Sequence, residues 1–169
     1  MMRTAWILAM LVAVPGLTFA QQAPPKGCIG PEHRHFDYWA GDWNVFNLQG
    51  AQVGTSRITS IAGGCGLLEE WQPANNPGGR SLNFYDSADR QWHQVWIGAD
   101  GNALRIAGGL QNGAMTLTGA DRKTPQGTVR DRITWTPQPD GAVEQRWDLS
   151  SDGGNTWKTS FVGIYRRKQ

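Results

Sequence analysis

From Trp43 almost to the C-terminus the chain alternates apolar and polar side chains with a period of two, in short runs broken by glycine, asparagine and aspartate. That period is the mark of strands with one face turned to a core. The runs are Trp43–Gln49, Val53–Ala62, Cys65–Gln72, Arg80–Tyr85, Gln91–Ile97, Ala103–Gly109, Ala114–Gly119, Thr128–Thr136, Ala142–Leu149 and Thr156–Arg166. Between them stand Gln49-Gly50-Ala51, Gly63-Gly64, Asp100-Gly101-Asn102, Gln111-Asn112-Gly113 and Asp140-Gly141, all suited to tight hairpins. Connections this short join antiparallel neighbours and leave no room for βαβ crossovers. No repeat at a fixed period points to a propeller. Strands in such number, with no long helical pattern, are expected to close on themselves and so remove exposed edges. The fold expected is all-β: a single antiparallel up-and-down β-barrel of about ten strands.

The segment Phe36-Asp37-Tyr38-Trp39-Ala40-Gly41-Asp42-Trp43 precedes the alternation and is rich in aromatics. It reads as a helical turn that plugs one end of the barrel and passes into the first strand at Gly41-Asp42-Trp43. Pro31 suits a first helical position and Glu32 adds favourable charge there, so a short capping helix of about two turns is expected over Pro31–Trp39. Residues 21–30 are polar and proline-bearing and read as an extended leader. Residues 1–20 have the three parts of a secretory signal peptide: Arg3, the apolar run Ala5–Gly16, and Thr18-Phe19-Ala20. The apolar run is too short to span a bilayer, so no stable membrane insertion is expected. The barrel domain is then residues 31–169, exported to a periplasmic or extracellular location. With a formal charge of +2, of which Arg3 is part, there is no basic field to attract nucleic acid.

Cys28 and Cys65 are the only cysteines. An even count in an exported chain makes one Cys28–Cys65 disulfide the expectation. Pro-Pro-Lys-Gly before Cys28 argues against a lipid anchor, and two isolated cysteines make a poor metal site.

Alternate residues of a closed barrel line its lumen. Trp92, Gln94 and Trp96 share one face and oppose His93, Val95 and Ile97; Ser81, Asn83 and Tyr85 oppose Leu82 and Phe84. Leu67, Glu69 and Trp71 oppose Leu68 and Glu70, Gln145 shares a face with Trp147, and Phe161 shares one with Tyr165. Large aromatics mixed with hydrogen-bonding groups describe a pocket with apolar walls and a few orienting polar groups. They also describe a barrel filled by its own tryptophans. Glu69, if inward, needs a raised pKa or a cationic partner. Arg57 has the matching parity if the Gly-Gly hairpin has an odd-length loop, and a Glu69–Arg57 pair would suit acid–base chemistry or a structural role. His33 and His35 stand two apart and point in different directions, so they make a poor metal pair, and His93 falls on the outer face. No nucleophile elbow, phosphate loop or Ser/His/Asp signature is present, and neither a metal nor a cofactor is expected. Ser150–Trp157 has the Ser-x-Asp-x-Gly-x-Thr-Trp form of an Asp-box, whose aspartate bonds turn amides above a packed tryptophan; one copy reads as a structural turn.

Taken together, Phe36–Trp43, Gly63-Gly64-Cys65-Gly66-Leu67-Leu68-Glu69-Glu70-Trp71, Trp92–Trp96 and Ser150–Trp157 resemble a family of exported bacterial proteins of unknown function. Its members look like lipocalin-type (calycin) barrels, and Gly41-Asp42-Trp43 matches the Gly-x-Trp opening of such barrels. The resemblance runs from about Cys28 to Tyr165 and implies a lipocalin-like fold and export, with no catalytic residues to transfer. Nitrobindin-like barrels hold haem through an axial histidine in the last strands, whereas Phe161–Tyr165 contains none.

The function expected is an exported, non-enzymatic carrier or sensor for a small amphipathic or aromatic ligand. Its site would comprise Glu69, Trp71, Asn83, Tyr85, Trp92, Gln94, Trp96 and Trp147. The alternatives are an enzyme using Glu69 and Arg57 in the lumen, and a structural envelope protein with a filled barrel.

Overall fold

The computed structural model describes residues 28–169; the expected signal peptide and most of the leader lie outside the described residues. The strands are β1 (Gly41–Phe46), β2 (Gln52–Ile61), β3 (Gly66–Pro73), β4 (Gly79–Asp86), β5 (Gln91–Gly98), β6 (Ala103–Gln111), β7 (Ala114–Gly119), β8 (Arg122–Thr124), β9 (Gly127–Pro137), β10 (Val143–Ser150) and β11 (Lys158–Arg167). Every pairing is antiparallel, and the order β10-β11-β1-β2-β3-β4-β5-β6-β7-β9 closes through the β9–β10 pair. The result is a closed barrel of ten strands, as the alternation predicts, with β8 as an extra arm on the first residues of β9. That arm went unpredicted because Arg122-Lys123-Thr124 carries no apolar alternation.

One end of the barrel is plugged. The expected short capping helix takes the form of two 3-10 turns, Pro31–Arg34 and Asp37–Trp39. In 3-10 geometry residues three apart eclipse, so Phe36 and Trp39 face the same way and stack at 4.8 Å. Both are fully buried, with Trp135 edge-on to Phe36 at 5.1 Å and Tyr165 edge-on to Trp39 at 6.2 Å. Each fully buried aromatic or aliphatic side chain here contributes roughly 1.5–3 kcal/mol. Three polar edges of the plug are matched, with Trp43 Nε1 donating to Trp39 O at 2.9 Å, Trp92 Nε1 to Glu32 O at 3.0 Å and Tyr38 Oη to Trp135 O at 2.8 Å, while Trp39 Nε1 and His33 Nδ1 are buried without a partner among the described residues.

The Gly41-Asp42-Trp43 segment joins plug to barrel. Gly41 has φ 141°, a conformation that a side chain resists. Arg167 at the end of β11 lies over the Trp43 ring at 4.4 Å and donates to Ala40 O, which seals the β1–β11 seam. The expected Cys28–Cys65 disulfide is present and ties the leader to the turn before β3, at the same plugged end. The Ser150–Trp157 turn folds as its sequence predicts. Asp152 accepts from Ser150 Oγ, Thr156 N and Thr156 Oγ1, and these bonds hold its carboxyl well below the usual range.

Candidate functional site

Beyond the plug, the inward faces become polar midway along the barrel. Glu69 on β3 pairs in register with Ser81 on β4 and Ile58 on β2. Ser56 Oγ donates to Glu69 Oε1 at 3.1 Å and Ser81 Oγ to Oε2 at 2.8 Å. A relay of donors continues from there: Asn83 Nδ2 donates to Ser81 Oγ at 2.9 Å, and Gln94 Nε2 donates to Asn83 Oδ1 at 2.8 Å. All of these side chains are buried, so each unpaired group would cost about 1–3 kcal/mol and the ladder removes that cost. On the opposite wall Gln145 Oε1 accepts from Tyr165 Oη at 2.6 Å and from Trp135 Nε1 at 3.1 Å.

Above this layer the barrel is hollow. A cavity of about 210 Å³ is lined by Glu69, Gln94, Gln145 and Tyr165 at its polar side and by Trp71, Trp96, Trp147, Phe161, Leu104 and Ile133 around its walls, with Ser160 at the edge. Two of the indoles lie over glycines. A Cβ on Gly54 would sit 2.6 Å from Trp71 Cη2, and one on Gly98 2.5 Å from Trp96 Cη2. The strands leave their inner surface bare there, and the rings lie across it as part of the wall. Trp96, Leu104 and Trp147 also border a wider outer hollow of about 730 Å³, whose rim carries Asp100, Asn102, Arg122 and Lys123. The β8 arm stands over this mouth. Its Arg122 grips the buried Asp131 through two bonds, 2.6 and 3.0 Å, and Asp131 also accepts from Trp147 Nε1 at 2.9 Å. The arm and one chamber wall are therefore fastened to a single carboxylate.

Glu69 is the titratable group of the chamber. Burial pushes its pKa from 4.5 up to about 6, and the two serine hydroxyls hold it from rising further. Burial, and then the nearby Glu69 charge, raise the Tyr165 phenol well above its ordinary value.

Glu69, Trp71, Gln94, Trp96 and Trp147, all named from the alternation, line one cavity. Asn83, Tyr85 and Trp92 share their inward parity but do not line it. Asn83 is spent in the ladder, Tyr85 meets the His33 ring edge-on at 5.1 Å, and Trp92 is bound into the plug. Alternation gives the face of a residue, while depth along the axis depends on strand tilt and stagger. The Glu69–Arg57 pair is not formed. The β2–β3 connection holds four residues between Ile61 and Gly66, an even number, so Arg57 lies opposite Glu70 on the outer face. There it binds Asp42 at 2.8 Å in the open. Leu104, Ile133, Gln145, Ser160, Phe161 and Tyr165 were not among the predicted site residues, though the shared faces of Gln145 with Trp147 and of Phe161 with Tyr165 were readable.

His93 lies outside the lumen, as expected, stacked on Phe84 at 5.4 Å. With Asp86 and Asp89 it forms a compact group at the β4–β5 turn, where Asp86 and Asp89 accept the Ala88 and Gln91 amides. Among the described residues no helix is long and apolar enough to cross a membrane. No protein-family model matches the chain, and none of the curated proteins compared with it is similar to it.

Proposed function

We propose that the protein is an exported barrel that binds a small amphipathic or aromatic compound in this chamber, acting as a carrier or sensor and not as an enzyme. The observation that carries the reading is the chamber itself: about 210 Å³ of space walled by Trp71, Trp96, Trp147 and Phe161, with Glu69, Gln94, Gln145 and Tyr165 converging on it. Open space of this kind favours a pocket over a barrel filled by its own side chains. The acid–base alternative loses its motive with Arg57 on the outside, since Glu69 has only hydroxyl partners. Export is supported by the disulfide, a bond that persists in oxidising compartments.

The test is calorimetric titration with a monocyclic aromatic such as p-cresol. The wild-type protein should bind it with a negative heat-capacity change, the mark of apolar burial. Trp96→Ala should abolish that binding and leave a folded barrel weakened by about 2–3 kcal/mol, because one wall of the chamber is gone. Full affinity in the Trp96→Ala protein would place the site elsewhere.

A further inference from the structure

We propose that the compound taken by the chamber is a small organic cation, a ring-bearing ammonium whose charge is matched by Glu69; this deepens the binding reading above and rests on it. Three observations converge. The first is a charge without a counter-charge. Glu69 is 5 % exposed, and among the described residues no salt bridge reaches it; its partners are the hydroxyls of Ser56 and Ser81. Buried carboxylates in proteins are ordinarily paired with a cation. The cationic side chains nearest in register, Arg57 and Arg80, are turned outward to Asp42 and Glu70, and Arg122 at the mouth is already committed to Asp131.

The second observation is the wall. Trp71, Trp96 and Trp147 surround the same space with Phe161 and Tyr165. Indole and phenyl faces carry the negative end of the ring quadrupole, and they attract an ammonium most strongly where water is excluded. An apolar neutral ligand is served equally well by leucine and isoleucine, and Leu104 and Ile133 are the only such residues among those lining the chamber. The third observation is the direction of the hydrogen bonds. The side-chain ladder from Gln94 through Asn83 and Ser81 donates toward the carboxylate, and Ser56 donates to its other oxygen. Donors held this way favour the ionised carboxylate, the form that binds a cation. The cavity, at about 210 Å³, exceeds the roughly 150 Å³ that holds a benzene ring. That leaves room for one ring and an ammonium group.

The groups facing Glu69 from the packed strands are Ser56 and Ile58 on β2, Ser81 on β4 and Tyr165 on β11, with the Asp131–Arg122 pair farther out at the mouth. Of these, Glu69 has its pKa raised by burial to about 6, and the Tyr165 phenol is raised well above its ordinary value.

The probes are phenyltrimethylammonium, whose charge does not titrate, and its neutral isostere tert-butylbenzene, with phenylacetate as the anion, each titrated calorimetrically into the whole mature protein. The cation should bind more tightly than the neutral isostere by about tenfold or more. Its affinity should fall as pH drops through the Glu69 midpoint and level off near that of tert-butylbenzene, which itself stays flat. Glu69→Gln should bring the cation down to the affinity of the isostere. Should that variant fail to fold, the pH dependence measured on wild-type protein decides in its place. Equal binding of cation and isostere, or tighter binding of phenylacetate, overturns the cation and leaves the aromatic-binding pocket standing. Binding of none of the three overturns both.

Discussion

The carboxyl of Glu69 shows how one residue links stability to the site. Its pKa in the folded barrel, about 6, exceeds its ordinary 4.5 because burial disfavours the charge. Between those values the folded state holds the proton more tightly than the unfolded chain does. The contribution of this group to stability is therefore greatest below about pH 4.5, falls as pH rises through about 6, and is flat above, a loss of about 2 kcal/mol. Urea unfolding followed across that range should show the fall, and Glu69→Gln, which cannot ionise, should remove it. A wild-type profile with no fall in that window would show that Glu69 is paired or hydrated in solution. Arg57, next to it in the sequence reading, shows the limit of parity arguments: one residue in a loop length moved it from the lumen to the outer face.

The hairpin is the element in which most of the fold was readable. All ten barrel strands begin and end within three residues of the alternating runs, and in β7 both limits coincide. Strand period and turn residues are local properties, so they survive without knowledge of neighbours. What the hairpins did not announce is the bare backbone beneath the indoles. A Cβ on Gly79 would meet Ile97 O and Trp96 Cζ2, both at 2.7 Å. Gly79→Ala should thus cost about 1–3 kcal/mol in urea unfolding and displace Trp96 from the chamber wall, weakening p-cresol binding. Gly109 on β6 is the control, with nothing within 4 Å of a Cβ. Gly109→Ala should leave stability within about 1 kcal/mol of wild type, on the stabilising side. Equal effects at the two positions would mean that the ring does not rest on Gly79.

The barrel as a whole is held shut at two places far apart in sequence. One is the β9–β10 and β11–β1 closure, whose second seam carries the Arg167–Trp43 stack. The other is the plug, pinned by the Cys28–Cys65 bond across 37 residues and by Arg34, whose guanidinium donates to both Cys28 O and Gly64 O. Replacing both cysteines by serine should lower stability by about 2–4 kcal/mol. Hydrogen exchange should then accelerate over Pro31–Trp39 more than in the strands, since the bond holds the plug and not the sheet. Uniform acceleration would mean that plug and barrel open as one unit.

By itself the sequence determined that this chain is all-β, closed, disulfide-tied and aromatic inside, because alternation, turn chemistry and cysteine count are each written in neighbouring residues or in composition. It determined which face Glu69, Trp71, Gln94, Trp96 and Trp147 share. Only the tertiary structure decided how deep each sits, and so divided that face into a plug around Trp92, a ladder through Asn83 and a chamber under Trp96. Depth is set by the stagger of strands that meet only on closure, and no single hairpin contains it. Tertiary structure likewise decided that Glu69 would have hydroxyls and no cation. That outcome required the β2–β3 connection to turn Arg57 outward and the β8 arm to engage Arg122 with Asp131, contacts set by loop length and arm placement that alternation does not record.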